Sequence, residues 1–358
     1  MEKIHAAGLI YGPQEHHLDH IAPIAILMNV PLIVTEPHLE DLANKYYPQL
    51  VTFCFDYVEL GKVVVQEYEV IFSSLPQDLF NQIFFVAENL FKKKLLSIWC
   101  PHGNSDKGHA SFFMEGLNKE KIALVYGQKM IDFLIEKKAY SQLYATIIIG
   151  NYRYAHYQAC APFYDRLVEE EVATKLRQNS PTILYAPTWD DAENSSSQSK
   201  ALQPLIENLP DHWNLIVKPH PNTMQKILHL DDSIQKENLL ILKDFPPIYP
   251  LLKYVDVYLG DLSSIGYDFL TFQKPMFFLN SSRRDQKQDK GLYLYQCGTV
   301  IEPEDFSRFF SIIEKTPAKS FQKIQDEVYS YVFGKGENTK EKIRETYERY
   351  LEEKHPLF

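Results

Sequence analysis

Short, almost unbroken apolar runs alternate along this chain with longer segments whose apolar residues recur at helical spacing. Runs at 4–10, 31–34, 50–53, 70–72, 95–99, 122–126 and 145–149 predict strands, with helices over 20–28 and 38–47 between the first of them. A second series follows at 182–186, 215–217, 239–242, 257–259, 276–279 and 298–301. The runs are continuous rather than alternating, as strands covered on both faces require, so parallel sheets built from βαβ units are predicted. Between 152 and 180 the pattern turns aromatic and then charged, with Glu169-Glu170-Glu171 on an exposed helix. A polar loop is expected over 194–199. The expected organisation is therefore an α/β domain over 1–160, a second over 161–335 and a carboxyl-terminal helix over 336–358. The charged helical region leading into that last helix begins near 320.

Length fits this division, because a single core stops growing near about 250–300 residues and the chain has 358. With 45% hydrophobic and 13% aromatic residues it is a globular rather than a disordered composition. A net charge of −10 argues against a nucleic-acid binder, whose footprint is basic. Four widely spaced cysteines, with no CxxC pair, read as reduced thiols of a cytoplasmic protein. The first residues lack the basic and apolar regions of a signal peptide. The apolar tract over 21–34 is broken by Pro23, Asn29 and Pro31 and is too short to span a bilayer. Peripheral contact with a membrane stays open, although Lys92-Lys93-Lys94 is adequately explained as a solvated helix end.

Candidate chemistry gathers where predicted strands end. Lys218-Pro219-His220-Pro221 closes the strand at 215–217, and Gly260-Asp261-Leu262-Ser263-Ser264 closes the strand at 257–259. Ligands of open parallel sheets bind beyond the carboxyl ends of strands. The two prolines restrict the backbone around His220, so its imidazole is held at a set angle. Ser263 and Ser264 precede an apolar helical pattern, as capping residues do, and the amides of a helix start favour an anion. An isolated Ser-Ser pair is most simply a helix cap; its pairing with the Lys-Pro-His-Pro turn points to phosphate. Thr188, after the strand at 182–186, adds a hydroxyl at the same edge, with Trp189 as packing or contact. Asp268, one turn into the Ser-Ser helix, is placed to accept from ribose hydroxyls, whereas Asp261 is expected to brace the loop.

In the first domain, Pro101-His102-Gly103 ends the strand at 95–99. His102 is a candidate general base for an acceptor hydroxyl. Gly103 and Lys107 are assigned to the acceptor side, Lys107 as a cation for an anionic acceptor. His16, His17 and His20 do not read as a metal site, because only His16 and His20 share a helix face and no HExxH motif accompanies them. The chain has no GxGxxG, no Walker loop and no GxSxG elbow.

In their order, these segments resemble the CDP-glycerol glycerophosphotransferase family of teichoic acid polymerases and primases. Pro101-His102-Gly103, the Tyr185-Ala186-Pro187-Thr188-Trp189 run, Lys218–Pro221, Asp261-Leu262-Ser263-Ser264 with Asp268, and Lys274-Pro275 carry the likeness over residues 95–280. The resemblance implies a GT-B fold, two Rossmann-like parallel-sheet domains facing a cleft. It further implies that His102 activates the acceptor and that His220, Ser263, Ser264 and Thr188 hold the donor pyrophosphate with Lys218 nearby. Asp268 would reach the ribose. Such enzymes need no catalytic metal or cofactor beyond the nucleotide-activated donor, here CDP- or CMP-linked. The acceptor is a hydroxyl, free or lipid-linked, and the expected location is the cytoplasm or the inner face of the membrane. One departure bears on the phosphate side: Asp190 stands where the family carries Arg. A CMP-sugar transferase of the sialic acid or Kdo type is one alternative, and a non-catalytic nucleotide-binding homologue is the other.

Overall fold

The computed structural model describes residues 4–107, 115–191, 193, 195–221, 223, 236–336 and 338–354. Asn194, the first residue of the expected polar loop, and 355–358 of the expected terminal helix lie outside the described residues. The chain divides into two compact units.

The first unit comprises Met1–His102, Phe112–His156 and Tyr331–Phe358. Among the described residues its sheet has seven parallel strands: β1 (Ala6–Ile10), β2 (Leu32–Val34), β3 (Thr52–Cys54), β4 (Val70–Ser73), β5 (Leu96–Trp99), β6 (Ile122–Val125) and β7 (Ala145–Ile148). Their order is β3-β2-β1-β4-β5-β6-β7, so the direction of winding reverses between β1 and β4. The second unit comprises Gly103–Ser111 and Tyr157–Ser330. Its described residues hold six parallel strands: β8 (Thr182–Ala186), β9 (Asn214–Val217), β10 (Leu239–Ile241), β11 (Val257–Gly260), β12 (Met276–Leu279) and β13 (Thr299–Ile301). The order β10-β9-β8-β11-β12-β13 reverses between β8 and β11.

Burial follows position in the sheet. Interior strands such as β4, β5, β6, β8, β9, β11 and β12 are buried at every residue. The edge strands β3, β7, β10 and β13 are only partly covered. One core packs Leu9, Ile33 and Ile71 against Val64, Phe80 and Phe84 from the helices Leu60–Glu67 and Gln77–Phe91. In the second unit, Ile183, Leu215 and Leu259 pack against Leu202, Leu205 and Phe309.

The limits of the two units differ from those read along the sequence. The division falls between His156 and Tyr157, inside the helix Tyr152–Ala159, rather than at 160. Residues from Gly103 join the second unit, and the end of the chain returns to the first. That return is a close approach: a Cβ on Gly127 would lie 2.5 Å from both Gly334 N and Val332 O. The Gly334 amide donates to Tyr126 O at 3.0 Å. The helix Thr339–Lys354 sets Tyr347 against Phe72 and Tyr350 against Tyr144. Local periodicity marks strands and helices, but not such pairings between remote segments.

Two histidines of the first unit are held neutral by the fold. Burial pulls His20 well below its ordinary range, with the Arg153 charge adding to the effect. Burial lowers His156 to about 4. The unfolded chain takes up these protons near pH 6.5 while the folded chain refuses them. Stability from these groups is therefore fully present above about pH 6.5 and is lost as pH falls toward the folded value of about 4. The denaturation midpoint should drop over that interval, with a shallower drop in His156→Gln. A midpoint unchanged between neutral pH and the lower end of that interval would contradict this.

Candidate functional site

Three neighbouring strands of the second unit, β9, β8 and β11, end in the turns that carry most of the candidate residues. They flank the β8/β11 reversal, where open α/β sheets bind ligands. Asp261, fully buried just after β11, ties its own turn to the segment that follows β8. Its Oδ1 accepts from the Thr188 amide at 2.8 Å. Its Oδ2 accepts from the Ser197 amide at 2.6 Å and the Ser197 hydroxyl at 2.7 Å. Burial pushes the Asp261 carboxyl up to about 6, against the opposing pull of these donors. It is thus largely ionised at neutral pH and braces the loop.

Lys107 lies with these residues in the second unit. Its ammonium donates to the Thr188 hydroxyl, pairs with Asp191 Oδ2 at 3.0 Å and sits 5.6 Å from the Trp189 ring centre. Asp191 Oδ1 in turn accepts from the amides of Glu193 and Ser195, each at 3.0 Å. Burial raises the Asp191 carboxyl, but the Ser195 amide and the Lys107 ammonium outweigh it and hold the group below its usual range. Asp190 is exposed, and it is Lys107 that brings positive charge beside Thr188 and Trp189. Lys107 thus contacts Thr188, Asp191 and Trp189, all after β8.

What carries Lys107 there is Asp106, which sequence reasoning did not single out. Its Oδ1 accepts from Tyr267 Oη at 2.5 Å and its Oδ2 from the Leu294 amide at 3.0 Å. Gly103 also packs on the Ser-Ser turn. Its φ is +126°, and a Cβ there would lie 2.8 Å from Ser264 Oγ, so both conformation and space require glycine. Asn104 is 2% exposed, and its Nδ2 has no hydrogen-bond partner among the described residues.

His220 stands 6.4 Å from Trp189, ring centre to ring centre. Burial, then the charges of Lys107 and Lys218, lower it to about 4, so at neutral pH it is an uncharged imidazole with one N–H to donate. Lys218 directs its ammonium to Phe245 O at 3.1 Å. Asp268 is 2% exposed and accepts from Tyr249 Oη at 3.0 Å. Ser263 is buried. Ser264 is the N-cap of the helix Ile265–Phe269, yet its side chain makes no capping hydrogen bond, contrary to the expectation of a serine cap. This helix has only five residues before a 3-10 turn takes over.

His102 ends the turn after β5 in the first unit, with its ring centre 5.2 Å from that of His17. Burial lowers it to about 4. No group of three or more His, Cys, Asp or Glu among the described residues is arranged to hold a metal ion.

Comparison with known proteins gives the family and the fold. The family model described as CDP-glycerol:poly(glycerophosphate) glycerophosphotransferase matches residues 98–308. The teichoic acid glycerol-phosphate primase of Bacillus subtilis (strain 168) is 27% identical over 132 residues, covering 37% of this chain and 34% of the relative. The match thus spans about a third of that relative's length. Among solved structures, the wall teichoic acid polymerase TagF aligns with a TM-score of 0.64 at 16% identity, over 98% of this chain and 89% of the other. The UDP-GlcNAc 2-epimerase of Neisseria meningitidis aligns at 0.58 and 12% identity, over 96% and 100%. At such identities the likeness shows a shared fold, the two-domain α/β fold of GT-B enzymes. With more than half of its length matched, the chain belongs to the CDP-glycerol:poly(glycerophosphate) glycerophosphotransferase family.

Proposed function

We propose that the protein transfers a glycerol-phosphate unit from a CDP-linked donor to a hydroxyl acceptor in cell-envelope polymer synthesis. The observation that carries this reading is the set of donors past the ends of β8 and β9: the Lys107 ammonium, the Thr188 hydroxyl, whose residue is braced by Asp261, and the His220 imidazole. In the reaction the acceptor oxygen bonds to the glycerol-bearing phosphorus, the pyrophosphate P–O bond breaks and CMP leaves with the electron pair. His102 takes the acceptor proton. The leaving phosphate gains negative charge, which Lys107, Thr188 and His220 stabilise by charge and hydrogen bonds. A neutral His102 is unprotonated and ready to act as base. Negative charge on bound substrate would raise its basicity from the low starting value.

Peripheral attachment to a membrane fits a lipid-linked acceptor. No helix among the described residues is long and apolar enough to cross a bilayer. The helix Gln77–Phe91, however, exposes Phe85, Val86 and Leu90 just before Lys92. Sedimentation with vesicles containing anionic phosphatidylglycerol should carry the protein down, less so for Val86→Asp. Equal sedimentation of the variant would reject this face.

Calorimetric titration should show CDP and CMP binding in preference to UDP, GDP and ADP, with binding lost in His220→Ala. Preference for UDP or GDP would assign the protein to sugar transfer from those nucleotides, and no nucleotide binding would favour a non-catalytic homologue. Turnover of CDP-glycerol should exceed that of CMP-sugars. It should fall about 10²–10⁴-fold in His102→Ala and about 10²–10³-fold in Lys107→Ala, with circular dichroism unchanged. Fully active, folded variants would refute the assigned roles.

A further inference from the structure

The first sheet has its own reversal, between β1 and β4, and β5 lies next to β4. Past the carboxyl end of β1 the chain enters the 3-10 turn Glu15–His17. Ser74 follows β4, and His102 follows β5. The three strand ends bring together side chains far apart in sequence. His17 Nδ1 and Ser74 Oγ are hydrogen-bonded at 2.7 Å. The His16 and His17 rings lie 4.3 Å apart, and those of His17 and His102 5.2 Å apart. All four residues are half-buried, so they are sheltered without being sealed.

The floor behind them is held by a polar network. Asp19 accepts from Arg153 at 2.8 Å and from Tyr47 Oη at 2.9 Å. His20 Nδ1 meets Tyr126 Oη at 3.0 Å, and Tyr152 Oη donates to His20 O at 3.0 Å. These contacts fix the start of the helix Leu18–Met28, and with it the turn that carries His16 and His17. A supported cluster of this kind suits binding, because little ordering is left to be done when a ligand arrives.

We propose that His16, His17 and Ser74 form a binding site for the polyol-phosphate end of the acceptor, next to His102. Imidazole N–H and serine O–H groups donate to phosphoryl oxygens, and an unprotonated ring nitrogen accepts from a polyol hydroxyl. The His17 and His102 rings are packed neighbours, 5.2 Å apart at their centres, so a short polyol lying across their edges reaches both. Its phosphoryl group is held by His17 and Ser74, and its terminal hydroxyl is presented to His102. The inference rests on the transferase reading, but it concerns residues of the first sheet that take no part in holding the nucleotide.

The test is a titration of the full chain, labelled with ¹⁵N-histidine, with glycerol 3-phosphate, glycerol and inorganic phosphate. Glycerol 3-phosphate should shift the ring signals of His17 and His102 saturably. Its apparent affinity should fall at least about tenfold in His17→Gln and in the milder Ser74→Ala, the loss expected when one charge-assisted hydrogen bond goes, while CDP affinity stays the same. Unmoved ring signals, or affinity unaffected by both variants, would overturn the proposal. Equal affinity for inorganic phosphate would overturn its polyol component. Binding of glycerol 3-phosphate without any cytidine nucleotide binding would count against the transferase reading and leave this site standing.

Discussion

The carboxylate of Asp261 accepts two backbone amides and a hydroxyl from the segment after β8, and the arrangement of that end of the second sheet hangs on it. A buried charge is costly unless its lone pairs are satisfied. Here the donors that satisfy it come from Thr188 and Ser197. Thr188 is fixed through its amide, which leaves its hydroxyl directed to Lys107. Ser197 is fixed at the start of the helix Gln198–Glu207. The loop between them is tied further by Asp191 and by the Ser196 hydroxyl on Thr188 O. One charge thus holds the Asp261 turn to Thr188 and Ser197.

Electrostatics around this point are arranged in the same spirit. Lys107 rests on Asp191, so its charge is balanced there. His220 is kept neutral by burial and by the two nearby lysines.

The strands of both sheets are legible in the sequence because a buried parallel strand leaves a continuous apolar run that few other structures produce. Strand-end motifs are legible for a related reason, since parallel strands deliver their carboxyl ends to one edge. The surroundings of Lys107 are not. Its place after a first-domain strand suggests the acceptor side, whereas its neighbour Asp106 bonds to Tyr267 and Leu294, 161 and 188 residues away. No local pattern registers such a pair. The histidines show the same limit. Helical spacing pairs His16 with His20, but the regular helix begins only at Leu18, and His17 turns instead toward Ser74 and His102.

The return of the chain at Val332–Gly334 has a consequence for synthesis. The first unit is assembled from three separate stretches, and the last of them, Tyr331–Phe358, leaves the ribosome after the whole second unit. Until then the groups that Gly334, Tyr347 and Tyr350 pack against, near Gly127, Phe72 and Tyr144, lack that cover. The strands of the first sheet are therefore made before the second unit, while part of the cover of that unit is made after it, and a chain stopped short of the helix Thr339–Lys354 would leave Phe72 and Tyr144 without it.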